Sequence, residues 1–229
     1  MTIYLFGDYA MSYKYKELKI IWTGHSGFKI TDDIIIWIDP YQVSKPTRAD
    51  IVLVTHNHFD HFSKADLKKI LSDDSTLVAS YEVSPEAGDL PGEKIYVKPG
   101  DVVEVKGVKI WAVPAYNVNK FRSPGVVFHP KEDLKVGYVI EYKDVKIYHA
   151  GDTDKIPEMR GIECDIALLP VSGTYVMTAE EAIEAAKIIN PKIAIPMHYG
   201  AFVGSRSDAE KFKKELENIG INVVILEKE

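Results

Sequence analysis

The sequence predicts an α/β protein in which two mixed β-sheets pack together and helices cover their outer faces, a four-layer αββα sandwich. Short apolar runs typical of strands recur along the chain, whereas amphipathic helical segments are concentrated in a few places. Of the 229 residues, 46% are hydrophobic. This content is enough to bury a substantial core, and no break in composition divides the chain, so we expect one domain spanning residues 1–229.

Strands are predicted wherever a short run of β-branched and other apolar residues ends at glycine, proline or polar residues. In the first half of the chain the runs are 18–23, 28–30, 34–38, 51–54, 77–79, 94–97, 102–105 and 109–113. In the second half, 136–141 and 146–150 flank Lys143-Asp144 as a hairpin. The remaining predicted strands are 165–170, 192–196 and 221–226.

Three helices are predicted where apolar residues at helical spacing follow a capping residue. The first follows Ser63, and the second follows Thr178, with Glu181 three residues later as the partner in a capping box. The third begins at Ser207 and ends at Gly220. Residues 116–135 show no periodicity, and a loop of this length in a compact domain is usually functional or mobile.

Composition disfavours several classes of protein. The net charge is −6 and no block of basic residues forms a stripe, so binding to nucleic acid is not expected. No apolar run approaches the roughly 20 residues of a membrane span, and residues 1–16 lack the order of a signal peptide, which favours a soluble cytoplasmic protein. The single cysteine, Cys164, is expected in or near the core. No sequence feature indicates an oligomeric state.

Three of the seven histidines lie in one short segment, Thr55-His56-Asn57-His58-Phe59-Asp60-His61. A chance occurrence of this pattern has a probability on the order of 10⁻³, given the composition of the chain. Imidazole and carboxylate are the ligands that borderline divalent metals prefer. The segment is therefore interpreted as a metal-binding loop, and a solvated polar loop is the weaker alternative.

Other polar residues also follow predicted strands. His25, Asp152 and His198 each follow the end of an apolar run closely, as the histidine segment does. Because loops at the carboxyl ends of strands form the rim where ligands bind, we expect these side chains to converge. His149 lies inside a run, which favours a role in orienting Asp152 or a neighbour over direct ligation.

The motifs His-x-His-x-Asp-His, Gly-Asp-Thr and Pro-Met-His-Tyr-Gly, in this order after strands, resemble those of the metallo-β-lactamase superfamily of metal-dependent hydrolases. The resemblance covers the whole chain. Two further motifs, Gly24-His25-Ser26-Gly27 and Ile38-Asp39-Pro40, are similar to the branch containing ascorbate-6-phosphate lactonase and the N-acyl-phosphatidylethanolamine phospholipase D-like proteins. For His25 and Asp39 this likeness implies a role in orienting ligands or contacting substrate.

The resemblance also implies two divalent metal ions, with zinc as the first expectation and manganese or iron as alternatives. By position, His56 and His58 would bind one metal, Asp60, His61 and His198 the other, and Asp152 both. Asp60 and Asp152 are accordingly the expected catalytic residues, Asp60 also orienting the attacking water.

One ligand expected from the resemblance is missing. The place of a third histidine on the first metal reads Val113-Pro114-Ala115-Tyr116-Asn117. We hypothesise that His129 replaces it, because it is the only histidine of that region; a mobile surface histidine is the alternative. Tyr116, Asn117 and Tyr199 are expected as donors to substrate or to an oxyanion, although packing is the commoner role of such tyrosines.

The expected function is hydrolysis, by a metal-bound hydroxide, of a small phosphorylated or cyclic ester such as a phosphodiester or lactone. Lys120 and Arg122 could neutralise an anionic substrate, or be solvated loop charges. Two alternatives are a nuclease, which the net charge disfavours, and a non-catalytic metal-binding or sensing protein of the same fold.

Overall fold

Two large β-sheets form the centre of the computed structural model, which describes residues 3–6 and 9–229. The first sheet has eight strands in chain order: β1 (Ile3–Phe6), β2 (Tyr9–Tyr15), β3 (Leu18–Gly24), β4 (Gly27–Thr31), β5 (Ile35–Ile38), β6 (Ile51–Val54), β7 (Thr76–Ser80) and β8 (Glu93–Val97). Neighbours from β1 to β5 are antiparallel, and those from β5 to β8 are parallel. The sheet is therefore mixed.

The second sheet has seven strands. They are β9 (Val102–Val105), β10 (Val108–Pro114), β13 (Val136–Tyr142), β14 (Val145–His149), β15 (Ile166–Pro170), β16 (Ile193–Met197) and β17 (Asn222–Val223), in the spatial order β17-β16-β15-β14-β13-β10-β9. The strands from β14 to β17 are parallel, and those from β9 to β14 antiparallel. The hairpin predicted around Lys143-Asp144 is confirmed, with both turn residues at positive φ.

Three α-helices are described: α1 (Lys64–Ile70), α2 (Ala179–Ile189) and α3 (Arg206–Glu217). Ser63 caps α1 and Thr178 caps α2, both as predicted. The start predicted for α3 is wrong by one residue: the helix begins at Arg206 and Ser205 is its cap, with the backbone N–H of Ser205 donating to Asp208 Oδ2 at 2.7 Å. Within the described residues, no helix is long and apolar enough to cross a membrane.

Strand β6 shows how the layers form. Its four residues are fully buried, but Ile51 and Leu53 pack into the core between the sheets, whereas Val52 and Val54 pack with Leu67 of α1. The second sheet is covered in the same way, since α2 contacts β15 and α3 contacts β16. The αββα fold expected from the sequence is confirmed.

Two parts of the chain differ from the prediction. Strands β1 and β2 were not predicted; in β2, Ser12 and Lys14 interrupt the apolar residues. The single strand predicted at 221–226 is wrong: after β17, Val224 N–H donates to Ala194 of β16, whereas Leu226 pairs with Ala10 of β2. The C-terminal segment thus passes from the edge of one sheet to the other, so one continuous strand cannot form.

The long segment between β10 and β13 contains some regular structure. A small hairpin, β11 (Phe121–Ser123) and β12 (Val126–Val127), precedes a single 3₁₀ turn at Lys131–Asp133. His129 lies between this hairpin and the 3₁₀ turn. The segment places its side chain next to His58 and Asp152, which follow β6 and β14.

Candidate metal centre

The polar residues that follow the strands converge at one end of the sandwich. His25 follows β3, Asp39 follows β5, the histidine segment follows β6, Asp152 follows β14 and His198 follows β16. Donor atoms lie within 4.8 Å of one another in three groups: His56, His58 and His129; His56, His61 and Asp152; and His25, Asp60, His61 and His198. Every residue expected to bind metal thus belongs to one of these groups.

His129 lies beside the first part of the histidine segment. Its Nε2 is 3.4 Å from Nδ1 of His58 and 3.6 Å from Oδ2 of Asp152. Only 1% of His129 is exposed. The alternative of a mobile surface histidine is therefore wrong.

Asp152 lies between the other histidines. Its Oδ1 is 3.3 Å from Nε2 of His61, and its Oδ2 is 3.3 Å from Nε2 of His198. The preceding Gly151 has φ +65°, and a Cβ there would lie 2.8 Å from the carbonyl oxygen of Val136. The glycine of Gly-Asp-Thr thus lets this loop pass close to β13 and deliver the carboxylate.

Asp39 and Thr55 fix the orientation of two imidazoles. Asp39 Oδ2 accepts hydrogen bonds from Nδ1 of His61 at 2.7 Å and from the Thr55 hydroxyl at 2.6 Å. Because Thr55 donates its only hydroxyl proton to Asp39, it accepts one from Nδ1 of His56 at 3.0 Å. Both rings carry their proton on Nδ1 and present the lone pair of Nε2 to the site.

Asn117 orients His129 in the same sense. Its side-chain oxygen accepts from the backbone N–H and from Nδ1 of His129, both at 2.9 Å, and its Nδ2 donates to the Tyr175 carbonyl at 2.9 Å. The backbone donor fixes which amide atom is oxygen, so Nδ1 is the protonated nitrogen of the ring. The expectation that Asn117 contacts substrate is corrected: its amide is used to hold His129.

Several buried donor atoms of the site have no hydrogen-bond partner. Nε2 of His56, His61 and His198, and Oδ1 of Asp152, are buried without a hydrogen-bond partner. Leaving such atoms unpaired costs free energy, so their presence together calls for an explanation. Imidazole nitrogens and carboxylate oxygens directed at one another, with no proton donor between them, form the donor set of a divalent metal. The residues present therefore fit the expected metals.

The pKa values of His56, His129 and Asp152 agree with this chemistry. Burial lowers the pKa of His56, and it lowers the pKa of His129 to about 4. For Asp152, burial raises the pKa, but His198 and His61 outweigh burial and hold it well below its usual value. Neutral imidazole and ionised carboxylate are the forms that bind metals. For His61, burial lowers the pKa, but the carboxylates of Asp152 and Asp39 outweigh burial and raise it well above its usual value, so a metal ion would have to displace a proton there.

Two more histidines support the ligands. His25 Nε2 lies 2.9 Å from Oδ2 of Asp60, so it holds the carboxylate. His149 Nε2 donates to the Ser26 carbonyl at 2.8 Å, and its Nδ1 accepts from Gly151 N–H at 3.2 Å. His149 thus anchors the loop that carries Asp152, in line with an orienting role.

The two tyrosines expected near substrate lie elsewhere. The Tyr116 hydroxyl donates to Glu158 at 2.9 Å, and Tyr199 stacks on Trp22 with ring centroids 5.0 Å apart. Neither lines the cavity over the metal ligands, so the expectation that their hydroxyls face a substrate there is wrong. Packing decides both positions.

Lys120 and Arg122 are also outside this cavity. The Lys120 ammonium lies 2.6 Å from Glu181 and 3.3 Å from Asp154, so it is paired within the protein. Arg122 is exposed on β11. The possibility that Lys120 neutralises an anionic substrate is therefore corrected.

A cavity of about 620 Å³ opens over the donors. Part of its wall consists of expected ligands: His58, Asp60, His129 and Asp152. The rest is Asn57 and four aromatic side chains: Phe59, Phe128, Tyr175 and Phe202. Sequence reasoning gave no role to these rings, and only Phe59, inside the histidine segment, carried a positional signal. Ser172, 3.0 Å from Nδ1 of His198, was missed too, although it lies only two residues after the end of β15.

Comparisons with known proteins agree with this geometry. The family described as the β-lactamase superfamily domain matches residues 19–198. A UPF0173 metal-dependent hydrolase of Methanopyrus kandleri is 35% identical over 226 residues, covering 92% of this chain and 97% of that protein. The chain belongs to the UPF0173 metal-dependent hydrolases. The expected enzyme class, a metal-dependent hydrolase of the metallo-β-lactamase superfamily, is thereby confirmed.

Solved structures are similar to this UPF0173 hydrolase over nearly its whole length. A candidate metal-dependent hydrolase from Parabacteroides distasonis is 33% identical, with a TM-score of 0.81, covering 95% of this chain and 98% of that one. The metallo hydrolase Igni18 from Ignicoccus hospitalis is 26% identical, with a TM-score of 0.75 and coverage of 92% and 95%. The narrower likeness to the lactonase and phospholipase D branch stays a prediction.

Proposed function

We propose that this UPF0173 hydrolase uses two divalent metal ions to hydrolyse a small cyclic or phosphorylated ester, such as a lactone or phosphodiester. The observation that carries the proposal is the group of buried, unpaired donors, of which Asp152 also lines the cavity. The proposed ligands are His56, His58 and His129 for one ion, Asp60, His61 and His198 for the other, and Asp152 for both. Zinc is the first expectation, and manganese and iron accept the same donors.

When bound, such ions would supply a water of lowered pKa and positive charge to stabilise an oxyanion. Other residues of the chain hold and orient the proposed ligands. His25 fixes the Asp60 carboxylate at the cavity wall, where it can accept a proton from the attacking water. Asp39 and Asn117 fix the ring orientation of His61 and His129.

A nucleophilic side chain is not needed for this reaction. Burial raises the pKa of the Cys164 thiol to about 12, which keeps it protonated and unreactive at neutral pH. The net charge of −6 favours a small ester over a nucleic acid as substrate.

Hydrolysis assays with variants test the proposal. The metal-loaded protein is expected to hydrolyse a model phosphodiester, bis(p-nitrophenyl) phosphate, or simple γ- and δ-lactones. His58→Ala and Asp152→Ala should lose at least about 100-fold in kcat/KM, because each removes a ligand. Asp73→Ala, at an exposed position outside the cavity wall, is the control. Equal rates in the two ligand variants and wild type would refute the proposal; full metal occupancy without hydrolysis of any ester would favour the metal-binding protein.

The ligand set is tested separately through His129. His129→Ala should reduce tightly bound metal from two ions per chain to one, measured by elemental analysis after dialysis. Two ions per chain with unchanged affinity would exclude His129 as a ligand.

A further inference from the structure

The cavity over the proposed metal ligands has an aromatic wall. Phe59 is 67% exposed and Phe202 is 49% exposed, and their rings stack with centroids 6.0 Å apart. On the other side, the rings of Phe128 and Tyr175 meet edge to face at 4.6 Å. Large apolar side chains left open to solvent and grouped around one cavity are typical of a binding site.

The aromatic wall is continuous with the reacting centre. The Phe202 ring lies 4.7 Å from the ring of His25, which holds Asp60. Tyr175 accepts through its carbonyl from Asn117, the residue that holds His129. A substrate whose scissile bond lies at Asp60 and His129 would therefore place its neighbouring atoms against these rings.

The same cavity offers no cationic side chain. Among the described residues that line it, none is lysine or arginine. Lys135 is close enough to add to the effect of burial in lowering the pKa of His58 and His129. Its side chain is not available to a substrate, because Lys135 is 4% exposed and bound to both carboxylate oxygens of Glu82, at 3.0 and 2.8 Å. Recognition of a phosphate or carboxylate outside the reacting bond normally uses an available arginine or lysine. The wall is suited to an uncharged group.

From the exposed rings and the absence of lysine and arginine in the cavity wall, we infer that the substrate is an uncharged carboxylic ester, in first place a lactone. Its alkyl or aryl substituent binds between two pairs of rings, Phe59 and Phe202 on one side and Phe128 and Tyr175 on the other. The inference rests on the proposed function and narrows it. Hydrolysis adds one water across the ring C–O bond and releases a hydroxycarboxylate and a proton. A volume of about 620 Å³ leaves room for such a substituent beside the ester.

A series of γ-lactones with alkyl chains of one to six carbons tests the inference on the metal-loaded protein. Burial of one methylene is worth about fourfold, so kcat/KM should rise by about that factor per carbon until the cavity is filled. A γ-lactone with a terminal carboxylate on the same chain should be the poorer substrate. A flat series, or faster hydrolysis of the charged analogue, would overturn the inference.

Variants assign the effect to the aromatic wall. Phe59→Ala and Phe202→Ala should lose about tenfold in kcat/KM on the γ-lactone with the six-carbon chain and less than about twofold on the γ-lactone with the one-carbon chain, at unchanged metal content. Phe121→Ala is the matched control, because Phe121 is 54% exposed but lies on β11, outside the cavity wall. Equal losses on short and long lactones in the two wall variants would overturn the assignment.

Binding of γ-lactams separates this inference from the proposed function, since these amides resemble the lactones but resist hydrolysis. Calorimetry should show that wild type binds the hexyl-substituted lactam at least tenfold more tightly than the unsubstituted lactam, and that Phe202→Ala loses this preference. The preference without hydrolysis of any ester would refute only the proposed function. Equal affinity for the two lactams would overturn the inference, whatever the hydrolysis assays show. The exposed rings would then have to bind something other than the substituent of a lactone.

Discussion

The side-chain oxygen of Asn117 accepts two hydrogen bonds from His129, one from its backbone N–H and one from Nδ1, both at 2.9 Å. Asn117 lies in the segment 113–117, where the superfamily resemblance leads one to expect a histidine. The position thus serves the site indirectly, because it fixes the ring whose Nε2 lies next to His58 and Asp152.

Replacing Asn117 should weaken one metal and spare the other. In Asn117→Ala, the His129 ring loses its partner on Nδ1, and we expect the first metal to bind about 10- to 100-fold more weakly, as is typical when the partner of a ligating histidine is removed. Chelator competition with elemental analysis would measure both affinities. Asn119→Ala is the control, since its amide contacts Glu181 instead. Two unchanged affinities in Asn117→Ala would contradict the role of Asn117.

Gly151 should resist substitution. At φ +65°, with the Val136 oxygen 2.8 Å from the place of a Cβ, Gly151→Ala should cost about 1–3 kcal/mol of stability and weaken metal binding by displacing Asp152. Gly161→Ala is the matched control, because a Cβ there meets no atom within 4 Å. Urea unfolding of both variants gives the comparison; wild-type stability in Gly151→Ala would be inconsistent with this account.

Asp66 joins α1 to the loop that follows Asp39. Its oxygens accept from Gln42 and Val43 N–H at 2.8 and 3.1 Å, from the Ser63 hydroxyl at 2.7 Å and from Lys69 at 2.6 Å. Burial raises the pKa of Asp66, but these donors outweigh burial and the net pKa is lowered. The ionised carboxylate is therefore stabilised in the folded state.

This lowered pKa predicts a stability difference that depends on pH. Because the folded pKa lies below the unfolded value of about 3.9, the stabilisation is present above that value and is lost as the pH falls through the folded pKa. Asp66→Asn should cost about 2 kcal/mol at pH 7, and the gap to wild type should narrow below about pH 4. Urea unfolding of both proteins between pH 7 and below about pH 4 measures this difference in the free energy of unfolding. Asp73→Asn, at an exposed position, is the control. A gap independent of pH would show that the charge of Asp66 does not matter.

Much of the site could be predicted from position in the sequence. The histidine segment, Asp152 and His198 each follow a buried apolar run, and the carboxyl ends of β6 in the first sheet and of the parallel strands β14 and β16 in the second lie at the same end of the sandwich. His129 was found by elimination, as the only histidine near the gap at Asn117. Its burial and its bond to Asn117 depend on how residues 116–135 fold, and that segment has no periodicity from which this could be read.

The parts that could not be predicted depend on contacts between distant segments. Phe202 and Tyr175 reach the cavity from loops after β16 and β15, and no local pattern marks a loop aromatic as part of a site. Tyr116 and Tyr199 lie next to the site in sequence, but Glu158 and Trp22 determine where their side chains point. Side-chain direction at a strand end is thus set by tertiary partners.

Metal removal and restoration test the central claim most directly. Protein stripped with a chelator should hold no metal, unfold at a lower temperature and lose hydrolysis of the ester substrates, because the buried donors of His56, His61, His198 and Asp152 are left unpaired. Adding zinc should restore two ions per chain and the activity together. Unchanged hydrolysis by the stripped protein, or failure of the restored protein to retain any metal, would contradict the account.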